Sequence, residues 1–151
     1  MTPRQAPISS RHLLPHERLD VFHVAIELNQ LVASFSLPRG QADLRDQLRR
    51  AATSIALNSL CAHGALRIEA RSVHPTSLRE AENIGEGASK AGPDGRRYFT
   101  IARGSCGEVA ATLRVLLAIG AIGEATHEQG RALCGRIYAM LTGLCGHRPS
   151  R

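Results

Sequence analysis

Apolar residues recur every three or four positions along four separate segments of this chain, which is the spacing of amphipathic α-helices. The clearest stripe belongs to the second segment and consists of Leu44, Leu48, Ala51, Ala52 and Ile55. Aromatic residues are scarce, with two tyrosines, three phenylalanines and no tryptophan. Because strands favour β-branched and aromatic residues, this composition favours closely packed helices. The sequence therefore predicts an all-α fold.

The chain has the size and composition of one folded domain. Its 151 residues are 43% hydrophobic and 21% charged, which is too apolar for a disordered protein. We expect a flexible N-terminal tail over residues 1–15, a helical bundle over 16–146 and a short C-terminal tail over 147–151.

The first helix is expected to begin after Pro15 and to run to about Phe35, where Pro38 and the residues around it end it. It carries two apolar stripes, which is more than one neighbouring helix requires. One stripe consists of Leu19, Phe22, Ile26 and Ala33, and the other of Val21, Ala25, Leu28, Val32 and Phe35.

The second helix is expected to start near Gln41 and to be interrupted after Asn58 by an insertion over residues 59–83. Residues 60–70 either extend the helix or pack back as a short separate one. Pro75 ends any such run, and the Ser77 and Glu80 spacing of a capping box predicts that a helix restarts over residues 78–89.

The third helix is expected over residues 95–119, with Asp94 as its N-cap after a loop at 91–93, and Gly120 as its end. It too has two stripes, one of Tyr98, Ile101, Ala102, Ser105, Val109, Thr112, Leu113 and Leu116, and one of Phe99, Cys106, Ala110 and Leu117. A capping box at Thr126 and Gln129 opens the fourth helix, which Gly146 and Pro149 close. Short connections between four helices predict an antiparallel up-and-down four-helix bundle whose second helix carries the insertion.

Three motifs carry a family resemblance. They are QLRRAATSI at 47–55, Asn58 followed across the insertion by IGEG at 84–87, and YFTIARGS at 98–105. Together they resemble the bacterial four-helix-bundle proteins encoded in intervening sequences of 23S ribosomal RNA genes, which share a fold family with the accessory variability protein of diversity-generating retroelements. The resemblance spans roughly residues 14–144 and implies a small, cytosolic, non-enzymatic bundle that assembles as a ring-like homopentamer. Retroelement members bind nucleic acid and a reverse transcriptase through basic surface.

The insertion is the one large departure from this family pattern. Either it loops out and residues 78–89 resume the place of the second helix, or the bundle is rearranged locally; the restart signal favours looping out. Within the motifs we assign structural roles to four residues: Arg50, Asn58, Glu86 and Ser105. A Glu86 ion pair with Arg50 or Arg103 that sets helix register is expected, rather than acid–base chemistry.

Basic residues supply the candidate binding surface. The net charge is +6, with eighteen arginines and one lysine. Arg96, Arg103 and Arg114 lie at i, i+7 and i+18 of the third helix, so they share one face over about 27 Å at the helical rise per residue. Such a row can follow a phosphate backbone. Residues expected to extend it once copies assemble are Arg45, Arg49, Lys90 and Arg97.

Two other interpretations of these arginines remain open. A bias in genome composition would also produce an excess of arginine. Separately, the arginines of the row would have the same spacing if they paired with Glu86, Glu108 or acids of a neighbouring subunit. Scarce aromatics argue against base stacking, so any binding is expected to be driven by the backbone.

Signals for catalysis, metals and membranes are weak. Asp20 with His23, and Glu124 with His127, have the spacing of di-iron bundle ligands, but in an up-and-down bundle the two pairs start at opposite ends. We expect no metal, no cofactor and no enzymatic activity. Residues 1–16 lack the apolar segment of a signal peptide, and no apolar run reaches the roughly 20 residues of a membrane span, so a cytoplasmic location is expected.

The sequence thus predicts a homo-oligomeric binding or scaffold module, with RNA or DNA as the leading partner. The alternative is a purely structural or protein-binding oligomer without affinity for nucleic acid.

Overall fold

Four α-helices make up the part of the chain that the computed structural model describes, residues 18–63 and 93–146. They are α1 (Asp20–Ala33), α2 (Ala42–Ala62), α3 (Pro93–Ala118) and α4 (Glu124–Leu144), and a 3₁₀ turn (Arg39–Gln41) leads into α2. No strand occurs within these two ranges. The all-α prediction is confirmed.

The four helices form a closed ring of neighbours in which α1 and α3 each pack against both α2 and α4. Contacts between α3 and α4 show that these two run antiparallel, because Thr100 meets Cys145 near one end of the pair whereas Leu113 meets Gly130 near the other. The same holds for α1 and α4, where Glu27 meets Arg136 and Leu31 approaches Gly130. This is the predicted antiparallel four-helix bundle.

The core is built from aliphatic side chains, as the composition predicts. Leu28, Leu48, Ile55, Leu113 and Ile137 are completely buried and come from all four helices. Leu113 packs so closely on α4 that a methyl group at Gly130 would lie 2.6 Å from its Cδ1. Because Gly130 has no side chain, α4 can come close to α3 at this point. The periodicity of the sequence does not reveal this role.

Packing within one chain accounts for most of the predicted apolar stripes. On α1 the stripe from Val21 to Phe35 is buried, whereas Ile26 and Ala33 of the other stripe are exposed. On α3 both stripes are largely buried, because this helix packs against α2 on one side and α4 on the other. Ile101 of α3 is the main exception, at 42% exposure.

Partly buried amides and hydroxyls cross-link the helices. The Asn29 side chain donates to the carbonyl oxygens of Ala25 and Ala52 and accepts from the Thr53 hydroxyl, so it ties α1 to α2. The Ser54 and Ser105 hydroxyls lie 2.9 Å apart and tie α2 to α3. Each bond of this kind adds about 1 kcal/mol when its groups are otherwise buried.

Two predicted helix starts are wrong. Asp94 is not an N-cap, because α3 already includes Pro93, and proline suits a first helical turn whose N–H groups have no helical acceptor. Thr126 does not open α4 through a capping box either. That helix begins at Glu124 after an extended Gly123, whose carbonyl accepts the His127 N–H, so Thr126 already lies within the first turn.

The ends of α1 and α2 also differ from expectation. The first helix ends at Ala33, before Phe35 and well before Pro38, and Ser34 closes it by donating from both its N–H and its hydroxyl to the last turn. The second helix continues past Asn58 to Ala62, so the first residues of the predicted insertion extend it. The rest of the insertion beyond residue 63, the restart over 78–89, and the tails over 1–15 and 147–151 lie outside the described residues.

The end of α3 matches its prediction in detail. Gly120 has a φ of +71°, its N–H donates to the Leu117 carbonyl, and the Ala121 N–H donates to the Leu116 carbonyl at 2.8 Å. This pair of bonds is a Schellman motif, in which a left-handed residue reverses the chain and satisfies the last carbonyls. Gly146 has a similar φ of +69° just beyond α4.

Gly120→Ala should lower the free energy of unfolding by about 1 kcal/mol, because an L side chain is strained in the left-handed region. Gly104→Ala is the matched control, since a Cβ there meets nothing within 4 Å and the site is an exposed helix interior. Alanine should raise stability there by about 0.5–1 kcal/mol. Urea denaturation measures the free energy of unfolding of both variants. Changes of the same sign in the two variants would contradict the assigned end of α3.

Candidate nucleic-acid interface

The three predicted arginines of α3 lie along one side of that helix, as their spacing requires. Arg96 and Arg114 are exposed, and Arg103 is half-buried. The Arg103 guanidinium lies over the ring of Tyr138 on α4, 5.8 Å from the ring centroid. The row therefore borders the groove between α3 and α4.

A fourth arginine, from α4, faces the same groove. Arg131 lies two turns before Tyr138, which places both on one face of α4. Its charge also acts on the thiols of Cys106 and Cys134, which meet between α3 and α4. We call the surface formed by Arg96, Arg103, Arg114, Arg131 and Tyr138 the α3–α4 arginine face.

Arg131 fills the longest gap in the α3 row. Cys134 lies opposite Cys106, and Gly130 lies opposite Leu113, so Arg131 is level with the stretch between Arg103 and Arg114. Arg103 and Arg114 are about 16 Å apart along the axis of α3, and Arg131 lies opposite that interval. Sequence reasoning missed Arg131 because its position depends on the rotation and register of α4; its spacing of seven from Tyr138 was the available signal.

The guanidinium groups of this face form no ion pair with the described residues. Other arginines do, since Arg136 reaches Glu27 of α1 at 3.7 Å and Arg45 reaches Asp46 at 3.6 Å. Glu108, one of the acids considered as a partner, lies on the exposed side of α3 away from α4. The acid nearest to Arg131 along α4 is Glu128, whose carboxylate instead approaches His127.

The remaining predicted arginines are not brought to this face within one chain. Arg49 and Arg45 lie one and two turns before Thr53, on the side of α2 where Thr53 bonds to Asn29 of α1. Arg97 is exposed but follows Arg96 by about 100° around α3. Lys90 lies outside the described residues. Joining these side chains to the α3–α4 arginine face would require a second copy.

Two of the predicted motif residues, Asn58 and Ser105, take part in a hydrogen-bond network between α2 and α3. Asn58 donates to the carbonyl and the hydroxyl of Ser54, and that hydroxyl in turn meets Ser105 of α3. Arg50 is exposed on α2. Glu86 lies outside the described residues, so its expected ion pair stays a prediction; the described contact of Arg103 is with the Tyr138 ring.

The cysteines are free thiols, and three of the four are buried. The Cys106 thiol lies 3.3 Å from the Cys134 carbonyl oxygen. Hydrogen bonding between the two thiols, together with burial, raises the pKa of Cys134, which keeps it protonated at neutral pH. These residues behave as small core side chains, as expected for cysteines on helices.

His127 is buried at 5% exposure, and neither of its ring nitrogens has a hydrogen-bond partner among the described residues. Its Nδ1 is 3.6 Å from the Glu128 carboxylate, which is long for a hydrogen bond. Across residues 18–63 and 93–146, no three side chains of histidine, cysteine, aspartate or glutamate are grouped in a way that could hold a metal ion.

Within the same ranges, none of the helices has both the length and the hydropathy needed to cross a bilayer. Neither the models of known protein families nor the curated proteins compared with this chain give a match.

Proposed function

We propose that this protein is a non-enzymatic, homo-oligomeric four-helix bundle that binds the backbone of nucleic acid through the α3–α4 arginine face. In this proposal it belongs with the bundle proteins of the 23S ribosomal RNA intervening sequences, works in the cytoplasm and assembles as a pentamer. The four-helix fold and the free thiols, which suit a reducing compartment, are compatible with that assignment.

The observation that carries the nucleic-acid proposal is the alignment of four guanidinium groups along one groove, none of them in an ion pair with a described residue. Arginine donates up to five hydrogen bonds in a planar fork that matches phosphate oxygens. Guanidinium groups that are already paired would have to exchange one anion for another, whereas these have charge available for phosphate. Each contact releases condensed counterions, which favours binding at low salt.

Recognition on this face would be weakly dependent on sequence. A protein reads bases with side chains that reach their edges in a groove or in an unstacked strand. The α3–α4 arginine face offers mainly long cationic side chains on two adjacent antiparallel helices. We therefore expect similar affinities for nucleic acids of different sequence and a steep dependence on salt concentration.

Assembly is supported by apolar side chains on a different side of α3. Ile101, Val115 and Ile119 are 42%, 45% and 50% exposed and share one face of the helix by their spacing of fourteen and eighteen. A second copy that covered this stripe would remove it from water, would pair with the exposed Glu108 that lies seven residues from both Ile101 and Val115, and would leave the α3–α4 arginine face open. The partner in this proposal is another copy of the chain.

The alternative is a structural or protein-binding oligomer. The same exposed stripe on α3 favours it, and so does the Arg136–Glu27 pair, which shows that some arginines of this bundle serve to join helices. Under this alternative the chain would assemble but would not bind RNA or DNA.

Fluorescence anisotropy of labelled RNA and DNA of mixed sequence tests the proposal, together with light scattering for the mass in solution. Four phosphate contacts on a single strand predict an affinity loss of about 50-fold between 50 and 200 mM salt. Absence of binding at 50 mM salt by an assembled protein would favour the alternative. A monomer at all concentrations would overturn the assembly part of the proposal.

A further inference from the structure

We propose that the α3–α4 arginine face selects single-stranded nucleic acid, because Tyr138 offers a stacking surface for an unpaired base in the middle of the phosphate-binding row. This inference rests on the proposed function and names the form of nucleic acid that the site takes. It departs from the expectation, drawn from the scarcity of aromatics, that base stacking plays no part.

Tyr138 lies where the base of a nucleotide would be once the arginines of this face have bound the neighbouring phosphates. It is 49% exposed and level with Arg103, which has Arg96 on one side of it along the groove and Arg131 on the other. A strand whose phosphates contact those two arginines passes over the ring. Every base has a π-face, so stacking here requires no particular sequence.

Arg103 makes the ring a better platform. Its guanidinium lies over the ring at 5.8 Å from the centroid, which holds the tyrosine side chain in one orientation through a cation–π contact. A planar guanidinium also stacks on bases. The guanidinium covers one face of the ring, so a base would stack on the other face of the ring or on the guanidinium itself.

The groove is open beside this pair. Gly107 follows Arg103 by one turn of α3, and Gly135 precedes Tyr138 by one turn of α4; both are exposed, and a Cβ at either would meet nothing within 4 Å. No side chain of those two positions can cover the ring. The bases of a duplex are stacked on one another and cannot reach a single surface ring, whereas those of a single strand can.

The test compares a labelled single-stranded oligoadenylate with a labelled duplex of the same length, using the full chain and two variants, Tyr138→Leu and Tyr138→Phe. Loss of stacking in Tyr138→Leu should weaken single-strand binding by about tenfold, whereas duplex binding, which loses only the support that the ring gives to Arg103, should fall by less than about threefold. Tyr138→Phe keeps the aromatic plane, so its single-strand affinity should stay within about twofold of the unaltered chain. Single-strand binding should also quench tyrosine fluorescence in the unaltered chain, and much less in Tyr138→Phe.

The outcomes separate this inference from the proposed function. Equal losses of single-strand and duplex affinity in Tyr138→Leu, or no loss at all, would overturn the single-strand inference while backbone binding stands. Tighter binding of the duplex than of the single strand by the unaltered chain would also overturn it. No binding of either probe at 50 mM salt would remove the proposed function and this inference with it.

Discussion

Leu113→Ala is expected to lower the free energy of unfolding by about 2–5 kcal/mol, the range observed for large-to-small changes at fully buried sites. Leu113 has no exposed surface and lies where α3 meets both α4 and the core, against Gly130. Removing its isopropyl group leaves a cavity that a backbone fixed by the neighbouring helices can only partly close. Chemical denaturation followed by circular dichroism measures the effect.

Leu144→Ala is the control for this change. Leu144 is the last residue of α4 and is 41% exposed, so the same substitution should cost about 0.5 kcal/mol or less. A Leu113→Ala protein as stable as Leu144→Ala would mean that α3 does not occupy the centre of the bundle in the way described.

The simultaneous change of Arg103, Arg114 and Arg131 to glutamine should weaken nucleic-acid binding on the order of 100-fold at 50 mM salt. The reason is that each lost phosphate contact removes a share of the counterion release, which at low salt is the main source of affinity. Glutamine removes the charge and keeps a polar, although shorter, side chain. Anisotropy with a single-stranded RNA measures the loss, and thermal unfolding checks that the variant is folded.

A matched control carries the same loss of charge on other faces. Arg18 is exposed just before α1, Arg50 is exposed on α2, and Arg136 reaches Glu27 of α1. Changing these three to glutamine should weaken binding by less than about threefold at the same salt concentration, since only the general field of the protein is altered. Comparable losses in the two triple variants would refute a localised interface.

Local periodicity was enough to predict the helices and their buried stripes. Leu48, Ala52 and Ile55 lie on one stripe in the sequence and are buried together in the bundle, because a helical repeat of 3.6 residues leaves little choice of face. Gly120 was recognisable as a helix end because a left-handed residue after an apolar run is a local requirement.

Helix starts were harder to predict, since several residues near each start can serve as a cap. Thr126 and Gln129 have capping-box spacing, yet the chain enters α4 through Gly123, and the pattern falls inside the first turn. Pro93 was read as part of a loop, although its fixed φ suits a first helical turn equally well. The choice depends on backbone angles that residue type constrains only loosely.

Features that join two helices could not be predicted from either helix alone. The Asn29 cross-link, the close approach at Gly130 and the meeting of Arg103 with Tyr138 all depend on the register between neighbours. The candidate interface was therefore predicted only in part. The α3 arginines follow from spacing within one helix, whereas Arg131 and Tyr138 required the position of α4.

The slope of log affinity against log salt concentration is the most direct test of the α3–α4 arginine face as a phosphate-binding surface. For single-stranded RNA, the unaltered chain should have a slope of about −3, and the variant lacking Arg103, Arg114 and Arg131 a slope smaller in magnitude by about 2. Equal slopes for the two proteins would show that these arginines contact no phosphate and would contradict the account.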